Sequence, residues 1–146
     1  MTAGIAEETS AELKPGDRMK DGTIFAGISP DTNKPMYTTP ADARNRRWFG
    51  LAAPEISFTF ARAQRHAARL DACGHQDWRV PSKDELNVLF NNRTAIGAFD
   101  LAGPEPAGWY WSRTKFFKFL EVQYFGHGGL GRFDKKNFAC LRCVRG

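Results

Sequence analysis

The spacing of apolar residues changes period along the chain, and each change marks an element. Residues 1–14 are polar and acidic with no apolar period, which predicts a mobile tail or an extension that docks elsewhere. From residue 22 the text reads strand, turn, strand. GTIFAGI is β-branched and aromatic, SPDTNK consists of turn formers, and PMYTT is extended again. Residues 39–47 read as a loop whose RNRR cluster is a solvated basic patch. Over residues 58–72 the period becomes helical. Phe60, Ala63, Ala67 and Leu70 fall on one face, and Arg62, Arg65 and Arg69 on the other. Ser57 or Thr59 is positioned to cap this helix and Gly74 to end it. A second helix opens at Ser82-Lys83-Asp84-Glu85, a capping box in which the serine hydroxyl accepts from a backbone amide and Glu85 reaches back. Leu86, Leu89 and Phe90 form its apolar stripe, and Asn91 and Asn92 end it.

Residues 92–108, rich in Gly and Pro, read as loop. The period then becomes two, giving strands over 109–114, 119–125, a short 130–133 and a final 138–145, with Gly126-His127-Gly128-Gly129 as a turn. A hairpin, two helices and then an antiparallel sheet with long loops make an α+β fold. The expected organisation is a tail over 1–14 and one domain over 15–146, a size that forms a single core.

Composition adds one asymmetry. Residues 109–146 hold more than half of the Trp, Tyr and Phe, and eight of the 21 Lys and Arg against two of the 16 acids, so the net charge of +5 belongs to this end. Aromatic side chains and arginines bury large rigid areas at low entropic cost, the composition of binding surfaces. No apolar run approaches the ~20 residues of a membrane span, and the N-terminus lacks the basic start and apolar core of a secretory signal. The expected location is the cytoplasm or a phage particle, with no membrane role. Cys73, Cys140 and Cys143 are too few for a disulfide framework.

The candidate chemistry is thin. Cys140-Leu141-Arg142-Cys143 has metal and redox spacing, but in a strand residues i and i+3 point to opposite faces, which separates the sulfurs. Cys143 then shares the core face with Leu141, and Cys140 the other face with Arg142. His66, His75 and His127 are scattered and form no triad, and only His127 is expected on a binding surface. The acids Asp31, Asp42, Asp71, Asp77, Asp84 and Asp100 are dispersed, so neither metal nor other cofactor is expected. Asp77-Trp78-Arg79-Val80-Pro81 reads as scaffold, its Asp and Arg satisfying buried backbone or each other. Basic and aromatic residues together suit single-stranded nucleic acid, but the motif grammar of such a module is missing, which argues against it.

Four stretches carry a resemblance. GHQDWRVPSKDELNVLFNN from Gly74, GWYWSRT from Gly108, the Gln123, Phe125 and Gly128 pattern, and LRCVR from Leu141 together resemble the Lcl-type domain, the C-terminal part of a collagen-like bacterial adhesin. The resemblance runs from about Gly16 to Arg145, and the chain departs from the family pattern at Arg113 and Cys140, where a small Ser is usual. It implies a C-type-lectin-like fold, related to that of the formylglycine-generating oxidase, whose final strands form a ligand-binding face. Domains of this kind are targets of diversity-generating retroelements, which rewrite adenines and turn AAC and AAT codons into many others, but never into Lys, Gln, Glu, Met or Trp codons. Between Phe116 and Cys140 most residues are reachable in this way, whereas Lys115, Lys118, Glu121, Gln123, Lys135 and Lys136 are not.

The expectation is therefore a binding and display module rather than an enzyme. Its ligand-binding residues are Arg113, Phe116, Phe117, Phe119, Leu120, Val122, Tyr124, His127, Leu130, Arg132 and Phe133, its partner a protein or glycan. Phe116, Phe117, Phe119 and Phe133 are expected to be exposed. Trp78, Arg79, Trp109, Trp111, Leu141 and Cys143 are expected to be structural. The alternatives are an oxidase like the formylglycine-generating enzyme, which needs paired cysteines, and a single-stranded nucleic-acid binder.

Overall fold

The computed structural model describes residues 13–44 and 57–146. The expectations for the tail up to residue 12 and for the basic cluster beyond Arg44 lie outside the described residues. Among the described residues, eight strands and three helices follow in the order β1 (Ile24–Ile28), β2 (Pro35–Thr38), β3 (Ser57–Phe58), α1 (Phe60–Arg69), α2 (Lys83–Asn91), α3 (Arg93–Ile96), β4 (Trp109–Phe116), β5 (Phe119–Tyr124), β6 (Leu130–Asp134), β7 (Ala139–Cys140) and β8 (Val144–Arg145). The fold is α+β.

One sheet has the order β1-β2-β8 and the other β3-β7-β4-β5-β6. All pairings are antiparallel except β4 with β7, which meet at Tyr110 and Cys140. Because successive strand residues face opposite ways, the larger sheet feeds two cores. Trp111, Leu120, Val122, Ala139 and Leu141 point to one, where Phe60, Ala63 and Ala67 of α1 cover them with Trp78. Tyr110, Phe125 and Cys140 point to the other, beneath Leu86 and Leu89 of α2 and Ile96 of α3. The larger sheet thus has a core on each face, and among the described residues its β6 edge pairs with no further strand.

Four boundaries differ from the sequence pattern. Helix α1 begins at Phe60, since Ser57 and Phe58 pair with Cys140 and Ala139. Thr59 is its N-cap but contributes no side-chain bond. The helix ends at an extended Leu70, and Gly74 (φ 77°), with Cys73 (φ 54°), instead serves the next turn, where Ala72 bridges His75. Within the expected loop, residues 93–96 form a single helical turn, too short to show a period. The expected strand over 138–145 is two strands in two sheets, with Leu141–Cys143 crossing between them.

Candidate functional site

The free end of the sheet is built on a β-bulge. From Trp111 opposite Val122 to Lys115 opposite Leu120, β4 spends more residues than β5. Ser112 Oγ closes the bulge by donating to the Glu121 carbonyl at 2.6 Å. The displaced backbone docks on the start of α2. Arg113 N–H donates to the Pro81 carbonyl at 2.8 Å, and the Thr114 hydroxyl accepts from Lys83 N–H at 2.9 Å. The bulge also aims the exposed Arg113 guanidinium at Asp31, 3.0 Å away.

Beyond the bulge, β4 and β5 join through the two-residue turn Phe117-Lys118, flanked by the pair Phe116 and Phe119. Phe117 has φ 54° and is 86% exposed. A bulky residue in the left-handed region is strained by about 1–2 kcal/mol, and here the strain holds the ring at the hairpin tip, edge-on to Phe116 at 4.8 Å.

Strand alternation sorts the remaining expected residues. On one face Glu121 lies opposite Arg132 and Gln123 opposite Leu130. Glu121 receives Arg132 at 3.1 Å and Lys83 at 3.7 Å, so the carboxylate fixes the arginine, and the Arg132 guanidinium lies 3.4 Å over the Phe116 ring. Leu130, 74% exposed, stands beside them and lines a shallow cavity of about 600 Å³ with Phe116 and Arg132. His127 is exposed at the next turn, 4.7 Å from the half-buried Tyr124 ring.

The opposite face corrects several expectations. Leu120 and Val122 are buried core, because their side chains point beneath the sheet toward Trp111. Phe133, opposite Leu120, is half-buried between Trp109 and Trp111, at 5.3 and 6.0 Å. Phe119 is half-buried rather than displayed. Of the four phenylalanines expected to be exposed, only Phe116 and Phe117 are. Trp109 is half-buried rather than fully enclosed. Gly131 explains its fit, since a Cβ there would come within 3.0 Å of the indole.

The hairpin overhangs a second, larger cleft of about 810 Å³ facing the start of α1. Phe60 and Leu120 form its floor, Phe117 its outer wall, and Lys115, Lys118, Lys135 and Lys136 its rim.

Trp78, Trp111, Leu141 and Cys143 are buried. The Trp111 indole N–H donates to the Phe58 carbonyl at 2.7 Å, tying β4 to β3, and Trp78 donates to the carbonyls of Ala72 and His75, each at 3.2 Å. Arg79 does not pair with Asp77. It forks onto Glu85 at 2.5 and 2.7 Å, while Asp77 takes Arg145 at 2.6 and 3.0 Å. Glu85 is fully buried and also accepts from Ser29 Oγ at 2.6 Å and Ser82 N–H at 3.0 Å. Burial pushes its pKa up, but Arg79 and these donors outweigh that and hold it down at about 2.

A buried network escaped the sequence reading. Arg142 is fully enclosed and donates to the carbonyls of Thr39 (2.9 Å) and Gly97 (3.2 Å) and to Asp42 (3.1 Å), with the Phe99 ring 4.2 Å away. Tyr110 OH donates to Asp42 and accepts from Asp100 N–H at 2.7 Å. Burial raises the Asp42 pKa, against the pull of Arg142 and Tyr110. Arg142 and Cys140 were expected on an outward face. Both are interior, because the sheet has a core on each side. The overlooked signal is that no polar position interrupts Ala139–Val144 apart from this arginine.

The two cysteines of the C-x-x-C spacing serve different cores, Cys140 one and Cys143 the other. Burial pushes each thiol up to about 12. Among the described residues no group of three or more His, Cys, Asp or Glu is arranged to hold a metal ion, and no helix is long and apolar enough to cross a membrane.

The model of the Lcl C-terminal domain family matches residues 32–145. A comparison with curated proteins found no match. The matched stretch includes the Glu85 junction, the Trp111 tie and the Arg142 network, and the chain belongs to the Lcl C-terminal domain family.

Proposed function

We propose that this domain is a binding module that engages a protein partner through the outer face of β4–β6, with Phe116, Phe117, Leu130 and Arg132 as the contact residues, Arg113 and His127 at the margin, and no catalytic step. The observation that carries the reading is the stacked set in which Glu121 fixes Arg132 over Phe116 beside the bare Leu130. An exposed aromatic, a pre-oriented arginine and an exposed leucine together form the apolar centre and charged edge of an interface. Against the oxidase alternative, both thiols of the C-x-x-C spacing are protonated at neutral pH and belong to separate cores, while catalysis requires an accessible thiolate.

The narrower reading is a variable protein of a diversity-generating retroelement, working in the cytoplasm or on a phage particle. Its support is the resemblance together with the exposure of Phe116, Phe117, Leu130 and Arg132, all reachable by adenine rewriting. A neighbouring near-copy of the coding sequence with adenines at those codons establishes it, and a copy with adenines only at codons for buried residues such as Leu120 and Val122 refutes it.

The binding reading is tested by panning a random-peptide library and a glycan array on the wild type and on the variant Phe116→Ser/Leu130→Ser/Arg132→Ser. Peptide ligands held by the wild type and lost by the variant support it. Ligands held equally by both contradict it, and ligands confined to the glycan array would make the partner a glycan.

A further inference from the structure

We infer that the cleft under the β4–β5 hairpin takes an acidic segment of a partner protein that carries a bulky apolar side chain. The inference rests on the binding reading above and names the chemistry of the partner. The cleft is about 810 Å³, within the roughly 300–1,000 Å³ of ligand sites. It lies on the other side of the hairpin from the Phe116–Leu130 face and shares only Lys115 with the cavity there.

Two observations fix the occupant. The first is charge. Lys115, Lys118, Lys135 and Lys136 are all exposed, and among the described residues none of them is in an ion pair. The one acid in the lining, Asp134, already accepts from the Lys136 backbone N–H at 2.8 Å. Four cations against one carboxylate leave the concavity with an excess of positive charge, which an anionic occupant offsets. The second is the floor. Phe60 and Leu120 are nearly enclosed by the core, at 6% and 3% exposure, yet they line the cleft, with Phe117 standing free as the opposite wall. A side chain such as Phe or Leu entering there covers the exposed Phe117 ring and is itself shielded by the apolar floor. The Thr59 hydroxyl, which makes no capping bond to α1, also lines the cleft and can meet a peptide carbonyl or carboxylate. Single-stranded nucleic acid satisfies the lysines, but its flat bases would find a single free ring to stack on, Phe117. An acidic peptide uses rim and floor together.

The test is fluorescence anisotropy on the full chain with three labelled probes: a peptide with one Phe flanked by Asp and Glu, the same peptide with Asn and Gln in place of the acids, and an oligo-dT strand. The protein is the wild type and the variant Lys115→Glu/Lys118→Glu/Lys135→Glu/Lys136→Glu, whose altered side chains are all exposed, so the fold is retained and is checked by its melt. Saturable binding of the acidic peptide is expected, weakened about tenfold or more by neutralising the peptide and by reversing the lysines, as the loss of four exposed charge pairs gives. No saturable binding of the acidic peptide, equal binding of the neutral one, indifference to the lysine reversal, or tighter binding of oligo-dT overturns the inference. The panning experiment keeps the two readings apart. Library ligands that need Phe116, Leu130 and Arg132 but ignore the lysine reversal leave the binding module standing and remove the acidic-segment assignment. Ligands that ignore both variants remove the module itself.

Discussion

The segment around the start of α2 and the outer end of β4–β6 are both rich in charge, and they use it oppositely. In the scaffold two charged side chains, Glu85 of α2 and Arg142, are fully buried and engaged. Glu85 holds Arg79, Ser29 and the Ser82 amide at once, and Arg142 is enclosed with Asp42 and main-chain carbonyls. On the outer strands the charges are exposed, and the pair that is organised, Glu121 with Arg132, serves to orient an aromatic ring. A buried, satisfied charge specifies where elements meet, while an exposed charge beside bare apolar surface is available to a partner. Of the four stretches that carry the family pattern, the longest, residues 74–92, lies in the first region, and the contact residues of the proposed interface lie in the second.

The largest expected effect comes from breaking the scaffold. Trp111→Ala removes a fully buried indole and the tie to Phe58, and should lower stability by about 3–5 kcal/mol in a urea melt. Arg79→Ala leaves the Glu85 charge buried without its guanidinium and should cost about 3 kcal/mol by the same measurement.

The same pair predicts an acid window. The Glu85 pKa is about 2 in the folded chain against an ordinary 4.5. The unfolded chain therefore takes up this proton first as pH falls. The stabilisation is complete above about pH 4.5 and is lost toward pH 2. Wild-type melts from pH 6 to about 2.5 should fall through that window. In Glu85→Gln the fall should be shallower from a lower starting point. An identical slope in the two proteins would show that other carboxylates control acid unfolding.

Smaller still, and of opposite sign, is the hairpin tip. Phe117→Gly should raise stability by about 0.5–1 kcal/mol, because glycine accepts φ 54° without strain and the ring it replaces is mostly in water. A loss of stability would mean that the ring packs against its surroundings. On the outer face, Leu130→Ser should shift stability by no more than about 0.5 kcal/mol.

The sequence was informative where local chemistry decides. The capping box at Ser82 forms as the residues dictate, with the serine accepting from Glu85 N–H and Glu85 accepting in return. The α+β class followed from the change of period. It was less informative where the sheet has a core on each side. Leu120 and Val122 sit among charged and aromatic neighbours that suggest display, and only the pairing of β5 with β6 shows that they point inward. Arg142 looked outward-facing because arginine usually is, and its carbonyl partners come from residues about 100 and 45 positions away, beyond any local pattern. The irregular Phe116, Phe117, Phe119 spacing is the trace of a two-residue turn, which restarts the alternation with Phe116 and Phe119 paired.

The central claim is that the outer strands carry binding without carrying the fold. Thermal melts of wild type and of Phe116→Ser/Phe117→Ser/Leu130→Ser/Arg132→Ser, read beside binding of a peptide ligand selected on the wild type, test it most directly. The account predicts a stability change within about 1 kcal/mol, as substitutions of exposed residues give, together with loss of the ligand. Unfolding or aggregation of the variant, or undiminished binding by it, would contradict the account.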